Sequence, residues 1–178
     1  MIAGEFRSRM LKSVPGLAVR PTPDRLREAL FNVLAPRIEG TVFLDAYAGS
    51  GAVAIEALSR GAARAILLER NPLAITVIRE NLKALGLAAR ATVVRGSAAA
   101  AVSEFPADLA FLDPPYGLPD EYVRILTALA GSSCRLAVAQ HASRLALEDR
   151  YESLHKTRVL RQGDNSLSFF EKETEPEA

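Results

Sequence analysis

The chain has 178 residues, 49% apolar and 24% charged, a composition that excludes a disordered chain and is long enough for a full hydrophobic core. Its formal net charge is +1, so the overall balance does not announce a polyanionic partner, and no apolar run approaches membrane length. The single cysteine, Cys134, excludes an internal disulfide, and no Cys/His cluster has metal-ligand spacing. A reducing cytoplasm and a metal-free, membrane-free protein are therefore expected.

Residues 1–20 read as an irregular or hairpin-like arm, with Gly4, Pro15 and Gly16 as punctuation. Charge is concentrated here: residues 1–28 hold Arg7, Arg9, Lys12, Arg20, Arg25 and Arg27 against Glu5, Asp24 and Glu28. The tail from Glu171 is acidic, with four Glu against Lys172. Such local asymmetry can position a polyanion without shifting the overall pI, the alternative being a solvated surface arm. Pro21-Thr22-Pro23 then opens a helix, with Thr22 at the N-cap, Pro23 at the first helical position and Asp24 complementing the dipole. Leu26, Ala29, Leu30, Val33 and Leu34 follow the i, i+3, i+4, i+7 rule. This predicts an amphipathic helix that stops before Pro36 and turns Arg25 and Arg27 to its other face.

After Gly40 the pattern changes to short apolar runs separated by helical stretches. Thr41–Ala46, Ala65–Leu68, Ala91–Val94, Leu109–Leu112 and Leu136–Ala139 are predicted as strands buried on both faces. Helices are expected over Ala52–Leu58, from Pro72 to Gly86 behind an Asn71 cap, and over Asp120–Ala130. Strand–helix alternation at this pitch implies a mostly parallel sheet with right-handed crossovers and helices on both faces. Tyr151–Leu160 and Ser166–Glu171 alternate instead, and Gly163-Asp164-Asn165 between them is hairpin chemistry, so an antiparallel pair should close one edge. One domain is expected, with an arm over 1–20, an opening helix over 21–35 and a core over 41–172.

Two stretches carry chemistry. Asp45-Ala46-Tyr47-Ala48-Gly49-Ser50-Gly51 leaves the first strand and enters a helix, where glycines let backbone approach a ligand and N–H groups are unpaired. Gly49 to Ala54 satisfies the dinucleotide pattern G-x-G-x-x-A, but the Asp45 carboxylate would oppose a diphosphate. The same carboxylate suits a ligand with an ammonium group, such as the methionyl part of S-adenosylmethionine. Glu69, followed by Arg70, ends the second strand, where an acidic residue takes ribose hydroxyls. Ser97 and Ala98 follow the third strand, where an adenine edge would lie; Ser97 could equally be a helix N-cap. The expected cofactor contacts are thus Asp45, Tyr47, Gly49, Ser50, Gly51, Glu69, Arg70, Ser97, Ala98 and Asp113.

Asp113-Pro114-Pro115-Tyr116 closes the fourth strand. An exocyclic amine on a nucleobase is a poor nucleophile because its lone pair is delocalised, so its N–H bonds must be held and its lone pair aimed. Asp113 can accept one hydrogen bond and the Pro114 carbonyl the other. Pro114 and Pro115 fix the backbone without adding a competing donor, and Tyr116 can stack on the base for about 1–3 kcal/mol. The base must leave any stack to reach such a site. The alternative is a rigid turn, but the stretch lies one strand beyond the expected adenine position, at the edge where ligands collect. His141 and His155 have no obvious partners and are assigned packing or surface roles.

In these residues the chain resembles the RsmD family of bacterial 16S rRNA guanine-N2 methyltransferases. The resemblance runs through the basic opening from Ile2 to Met10, Arg20 to Asn32, Leu44 to Gly51, Glu56 to Ala62 and Asp113 to Tyr116, and the Arg20-Pro21-Thr22 run is its most family-specific piece. It implies a Rossmann-like methyltransferase fold: a mostly parallel seven-stranded sheet with an antiparallel last strand, plus a short basic N-terminal arm. It implies S-adenosylmethionine as methyl donor and N2 of a guanine in 16S rRNA, or in the small ribosomal subunit, as acceptor. Arg7, Arg9, Arg20, Thr22 and Arg25 are the residues expected to hold RNA, and the protein is expected to be a monomer. Ser97 departs from the Asp or Asn common in relatives. DNA amino-methyltransferase, NAD-dependent dehydrogenase and non-catalytic RNA-binding readings compete with this one. The missing DNA-reading domain, the position of Asp45 and the intact Asp113 loop count against them in turn.

Overall fold

The protein is described by a computed structural model that covers Met1, residues 3–16 and residues 22–173; Arg20 lies outside the described residues. Helix α1 (Asp24–Leu34) is followed by β1 (Val42–Asp45), α2 (Ala52–Ser59), β2 (Arg64–Glu69), α3 (Pro72–Ala84), β3 (Ala91–Arg95), α4 (Ala98–Ala101) and β4 (Leu109–Leu112). Then come α5 (Pro119–Ala130), β5 (Leu136–Ala142), β6 (Arg150–Tyr151), β7 (Leu154–Gln162) and β8 (Asn165–Lys172). The strands form one sheet of order β3-β2-β1-β4-β5-β8-β7-β6, in which β1 to β5 are parallel. Strand β8 inserts antiparallel between β5 and β7. This is the Rossmann-like methyltransferase sheet, with eight strands where seven were expected because the two-residue β6 adds to the edge.

Strand alternation splits the core into two layers. Phe43, Phe111, Val138 and Phe169 meet α1, α2 and α3 through Phe31, Leu34, Ile55 and Ile78. Leu44, Leu112, Ala139 and Phe170 meet α5 through Ile125, Leu126 and Leu129. Each such side chain, fully buried, stabilises the fold by about 1.5–3 kcal/mol before entropy is counted. Cys134 is one of these buried groups; its thiol is pushed up to about 12 by burial, with a backbone hydrogen bond from the Leu136 N–H pulling it part of the way back.

Local signals set the helix ends. Asn71 caps α3 as expected, its Oδ1 accepting from the Leu73 and Ala74 N–H groups at 2.8 and 3.3 Å. At α1 the expectation fails. Pro23 occupies the N-cap with an extended backbone and no side-chain cap bond, so Thr22 stands one residue too early to cap. Arg27, expected on the outer face, is instead buried, with Nη2 2.9 Å from Asp24 Oδ1. The helical period explains it: Arg27 precedes the buried Phe31 by four residues and shares its side.

The arm is bonded to the domain. The Ala3 N–H donates to Glu56 Oε1 at 2.9 Å, the Glu5 N–H to the Ser59 carbonyl at 2.9 Å and the Phe6 N–H to Ser59 Oγ at 3.0 Å. Farther along, Asn81 Oδ1 accepts the Lys12 N–H at 2.8 Å, while its Nδ2 donates to the carbonyls of Lys12 (3.0 Å) and Ser50 (3.1 Å). Gly4 has φ +81, and a Cβ there would run into the Ser59 carbonyl. Gly4→Val should therefore free residues 3–12 from α2, seen as faster amide hydrogen exchange in that segment while exchange in β1 and β4 stays slow.

Candidate active site

Strand order reverses between β1 and β4, which leaves a crevice at the carboxyl edge of the sheet. A cleft of about 440 Å³ occupies it, walled by the loops after β1, β2, β3 and β4. This volume is of the size that takes a nucleoside-sized ligand.

Of the expected contacts, Tyr47, Gly49, Glu69, Arg70, Ser97, Ala98, Asp113, Pro114, Pro115 and Tyr116 all line the cleft. Asp45, Ser50 and Gly51 do not border it. Asp45 shares its sheet face with Phe43 and is 1% exposed, so it sits behind Ala46. Gly51 is the left-handed N-cap of α2, with φ +82. A Cβ there would press on Leu67, Ile55 and Ile78 at 3.3–3.5 Å, so its task is to turn the loop into the helix against the core.

The loop is positioned by partners that no sequence pattern showed. Glu69 Oε2 accepts the Gly49 N–H at 2.9 Å, while Oε1 accepts the N–H groups of Arg70 (2.9 Å) and Asn71 (2.8 Å). With about four acceptor directions on a carboxylate, Glu69 keeps capacity for a ligand hydroxyl. The Tyr47 hydroxyl donates to Glu121 Oε2 at 2.6 Å, joining the β1 loop to α5, and burial and this carboxylate both push the phenol pKa upward. Asn71, Ala74, Leu118 and Glu121 also line the cleft, beyond the expected contacts. The Asn71–Pro72 cap was the one available signal among them. Ser97 is exposed and makes no side-chain cap bond, so its hydroxyl is free for another partner.

Two carboxylates dominate the electrostatics. Asp45 is pushed up to about 7 by burial, opposed by the Tyr47 N–H and raised further by Asp113. Neither Asp45 oxygen reaches a donor in hydrogen-bonding geometry among the described residues, so the Tyr47 and Ala54 N–H groups compensate only in part. Asp113 is likewise pushed up to about 7 by burial. Tyr116 is 68% exposed, and its hydroxyl donates to Asn165 Oδ1 at 3.2 Å. His141 is buried, within 2.8 Å of Ser168 Oγ, which fits its packing role. His155 stands 3.0 Å from Glu173, a charge contact without hydrogen-bond alignment. Among the described residues no group of three His, Cys, Asp or Glu could hold a metal ion, and no helix is long and apolar enough to cross a membrane.

The sheet order, the glycine loop after β1 and the Asp-Pro-Pro-Tyr turn after β4, opening into one cleft, define a Rossmann-like methyltransferase. The family described as Conserved hypothetical protein 95 matches residues 1–171, and the chain belongs to it, the RsmD family. The chain is 35% identical to YlbH of Bacillus subtilis, a provisionally named rRNA methyltransferase, over 97% of this chain and 98% of that one. Ribosomal RNA small subunit methyltransferase D of Escherichia coli is 41% identical over 71% of this chain and 65% of its own length. Among solved structures, yhhF from Escherichia coli, provisionally described as a methyltransferase, superposes with a TM-score of 0.80 at 33% identity and covers 98% of each chain.

A pH dependence follows from the two carboxyls. Folding raises both from the ordinary carboxylate value of 3.8 to about 7, so the stability they lend is fully present below about pH 4 and is lost as pH rises through about 7. Asp45→Asn should raise Tm by roughly 5 °C at pH 8. Thermal denaturation at pH 4 should show that advantage gone.

Proposed function

We propose that the protein transfers a methyl group from S-adenosylmethionine to the exocyclic N2 of a guanine in 16S rRNA. The observation that carries the reading is the Asp113 carboxylate, lodged with Pro114 at the end of β4 and facing the cleft that the glycine loop also walls. The site's chemistry fits the cofactor. Asp45 sets an uncompensated carboxylate behind the cleft wall at Ala46, which favours an ammonium group in front of it, and Glu69 offers spare acceptor capacity to ribose hydroxyls. When bound, S-adenosylmethionine supplies an electrophilic methyl carbon, whose bond to the sulfonium breaks as the bond to nitrogen forms, leaving a neutral thioether.

The chain's own residues aim and unload the amine. Ionised Asp113 accepts one N–H and the Pro114 carbonyl the other, which turns the nitrogen lone pair away from the ring and toward the cleft. The nitrogen becomes cationic on methylation, and Asp113, with a pKa near 7, takes the proton released. Tyr116, largely exposed and tethered only to Asn165, is available to stack on the base. Alignment and a preorganised field supply most of the rate.

The relatives named as small-subunit rRNA methyltransferases support ribosomal RNA as the acceptor, which goes with the cytoplasm expected above. Arg7, Arg9 and Arg25 are exposed, as RNA contacts must be, and Thr22 is half-buried at the head of α1. The role of Arg20 rests on the resemblance alone.

Labelled S-adenosylmethionine incubated with 16S rRNA or small subunits, followed by nucleoside mass spectrometry, should yield N2-methylguanosine; label in another base would refute the reading. Asp113→Ala should lower kcat on the order of 1,000-fold or more while calorimetry shows cofactor affinity nearly intact. For the unmodified enzyme, kcat/KM should rise with pH through about 7, because only ionised Asp113 can hold the amine.

A further inference from the structure

The Tyr116 side chain lines the cleft mouth but is 68% exposed, and Gly117 after it has φ +86. Its one side-chain hydrogen bond among the described residues leaves the loop altogether, the hydroxyl donating to Asn165 Oδ1 at 3.2 Å. An aromatic ring left this open would sample several rotamers, and a base stacking on it would have to still that motion first. The tether to Asn165 removes much of the freedom before any base arrives.

Asn165 is itself well placed to act as an anchor. It opens β8 at the turn of the β7–β8 hairpin, and hairpin turns are ordinarily mobile tips. This turn is fastened to the end of β5 by Ser143. The Ser143 N–H donates to the Asp164 carbonyl at 2.8 Å, and its Oγ donates to the Gly163 carbonyl at 3.0 Å. The same Oγ lies 2.9 Å from Ser166 Oγ. Asn165 also stands in register with Ala142 of β5 and Gln162 of β7. Strand β5 in turn pairs with β4, Leu112 opposite Ala139, and Asp113 follows Leu112 directly. The connections close a circuit: Asp113 leads through β4, β5, Ser143 and the turn to Asn165, and Tyr116 returns it to the loop that Asp113 opens.

We propose that Asn165 is a positioning residue, which presents the Tyr116 ring at a set place relative to Asp113 as the surface on which the acceptor base stacks. This deepens the methyltransferase reading above and rests on it. Asn165 does not border the cleft, whereas Tyr116 and Asp113 both do, so it acts through Tyr116. The C-terminal hairpin thereby becomes part of the acceptor site as well as the edge of the sheet. Its effect falls on the chemical step. Phosphate contacts made elsewhere set most of the affinity for a nucleic acid, while a ring held in place aligns one base for attack.

The test is a double-mutant cycle on methyl transfer to 16S rRNA or small subunits, with kcat, RNA KM and cofactor affinity by calorimetry measured for each protein. Tyr116→Phe keeps the ring and removes the hydroxyl, while Asn165→Ala keeps the hydroxyl and removes its acceptor. Each should lower kcat about 5-fold and change RNA KM less than about twofold. The double variant should be no slower than either single one, because both remove the same bond. Tyr116→Ala, which also removes the ring, should be slower again by on the order of 10-fold. Asn165→Asp keeps an acceptor at Oδ1 and should recover most of the rate that Asn165→Ala loses. Cofactor affinity should be the same throughout. Losses that add in the double variant would overturn the proposal, as would an Asn165→Ala protein as fast as the unmodified one. Equal rates for Tyr116→Ala and Tyr116→Phe would overturn it too, and so would cofactor affinity falling in step with activity. If the unmodified protein transfers no methyl group to RNA, the preceding functional reading fails instead, and this role for Asn165 with it.

Discussion

Two carboxylates without a cation, Asp45 fully buried and Asp113 half-buried at the cleft, are the constraint around which this molecule is arranged. Asp45 and Asp113 end adjacent strands on the same sheet face, at the point where strand order reverses. Among the described residues neither makes an ion pair, and burial lifts both toward neutrality. Aspartates in such a place cost folding energy that apolar residues there would not. On the proposed function, a cationic ligand would relieve that cost at Asp45 and an amine with N–H donors would relieve it at Asp113. The protein without ligand is thus least stable at the place where the proposed function would bring its two reactants together, a common trade between stability and function.

The fold was legible to the extent that its signals were local. Leu109–Leu112 is a strand of the expected bounds because four consecutive apolar residues stop at Asp113. Asn71-Pro72 marks the start of α3 because cap and first turn are neighbours in sequence. The hairpin at Gly163 is equally local, and it delivers β8 into the gap between β5 and β7. Thr22 misled because three consecutive residues could each have opened α1, and the backbone settled on the last proline as the cap. Arg27 misled because its charge outweighed its helical position, which aligns it with Phe31.

The site was legible as chemistry but not as mechanical support. Asp113 and the glycine loop announce themselves by residue type. The groups that hold them do not: Glu69 grips the Gly49 N–H from 20 residues away, and Glu121 receives Tyr47 from 74 residues away. Such pairings depend on three-dimensional adjacency, on which one-dimensional periodicity is silent.

Asn81 gives the N-terminal arm a different standing from that of a tail. Its one side-chain amide holds both backbone groups of Lys12 and the carbonyl of Ser50, in the loop that leads into α2. The arm at Lys12 and the glycine loop at Ser50 are therefore coupled through one side chain, not two modules joined by a tether. An arm grafted from a relative would have to bring its own bonding register to α3, or it would disturb the loop it touches. If the arm holds RNA as proposed, variation in that grip among members of this family should accordingly be found on its outward side chains, while its backbone course stays the same.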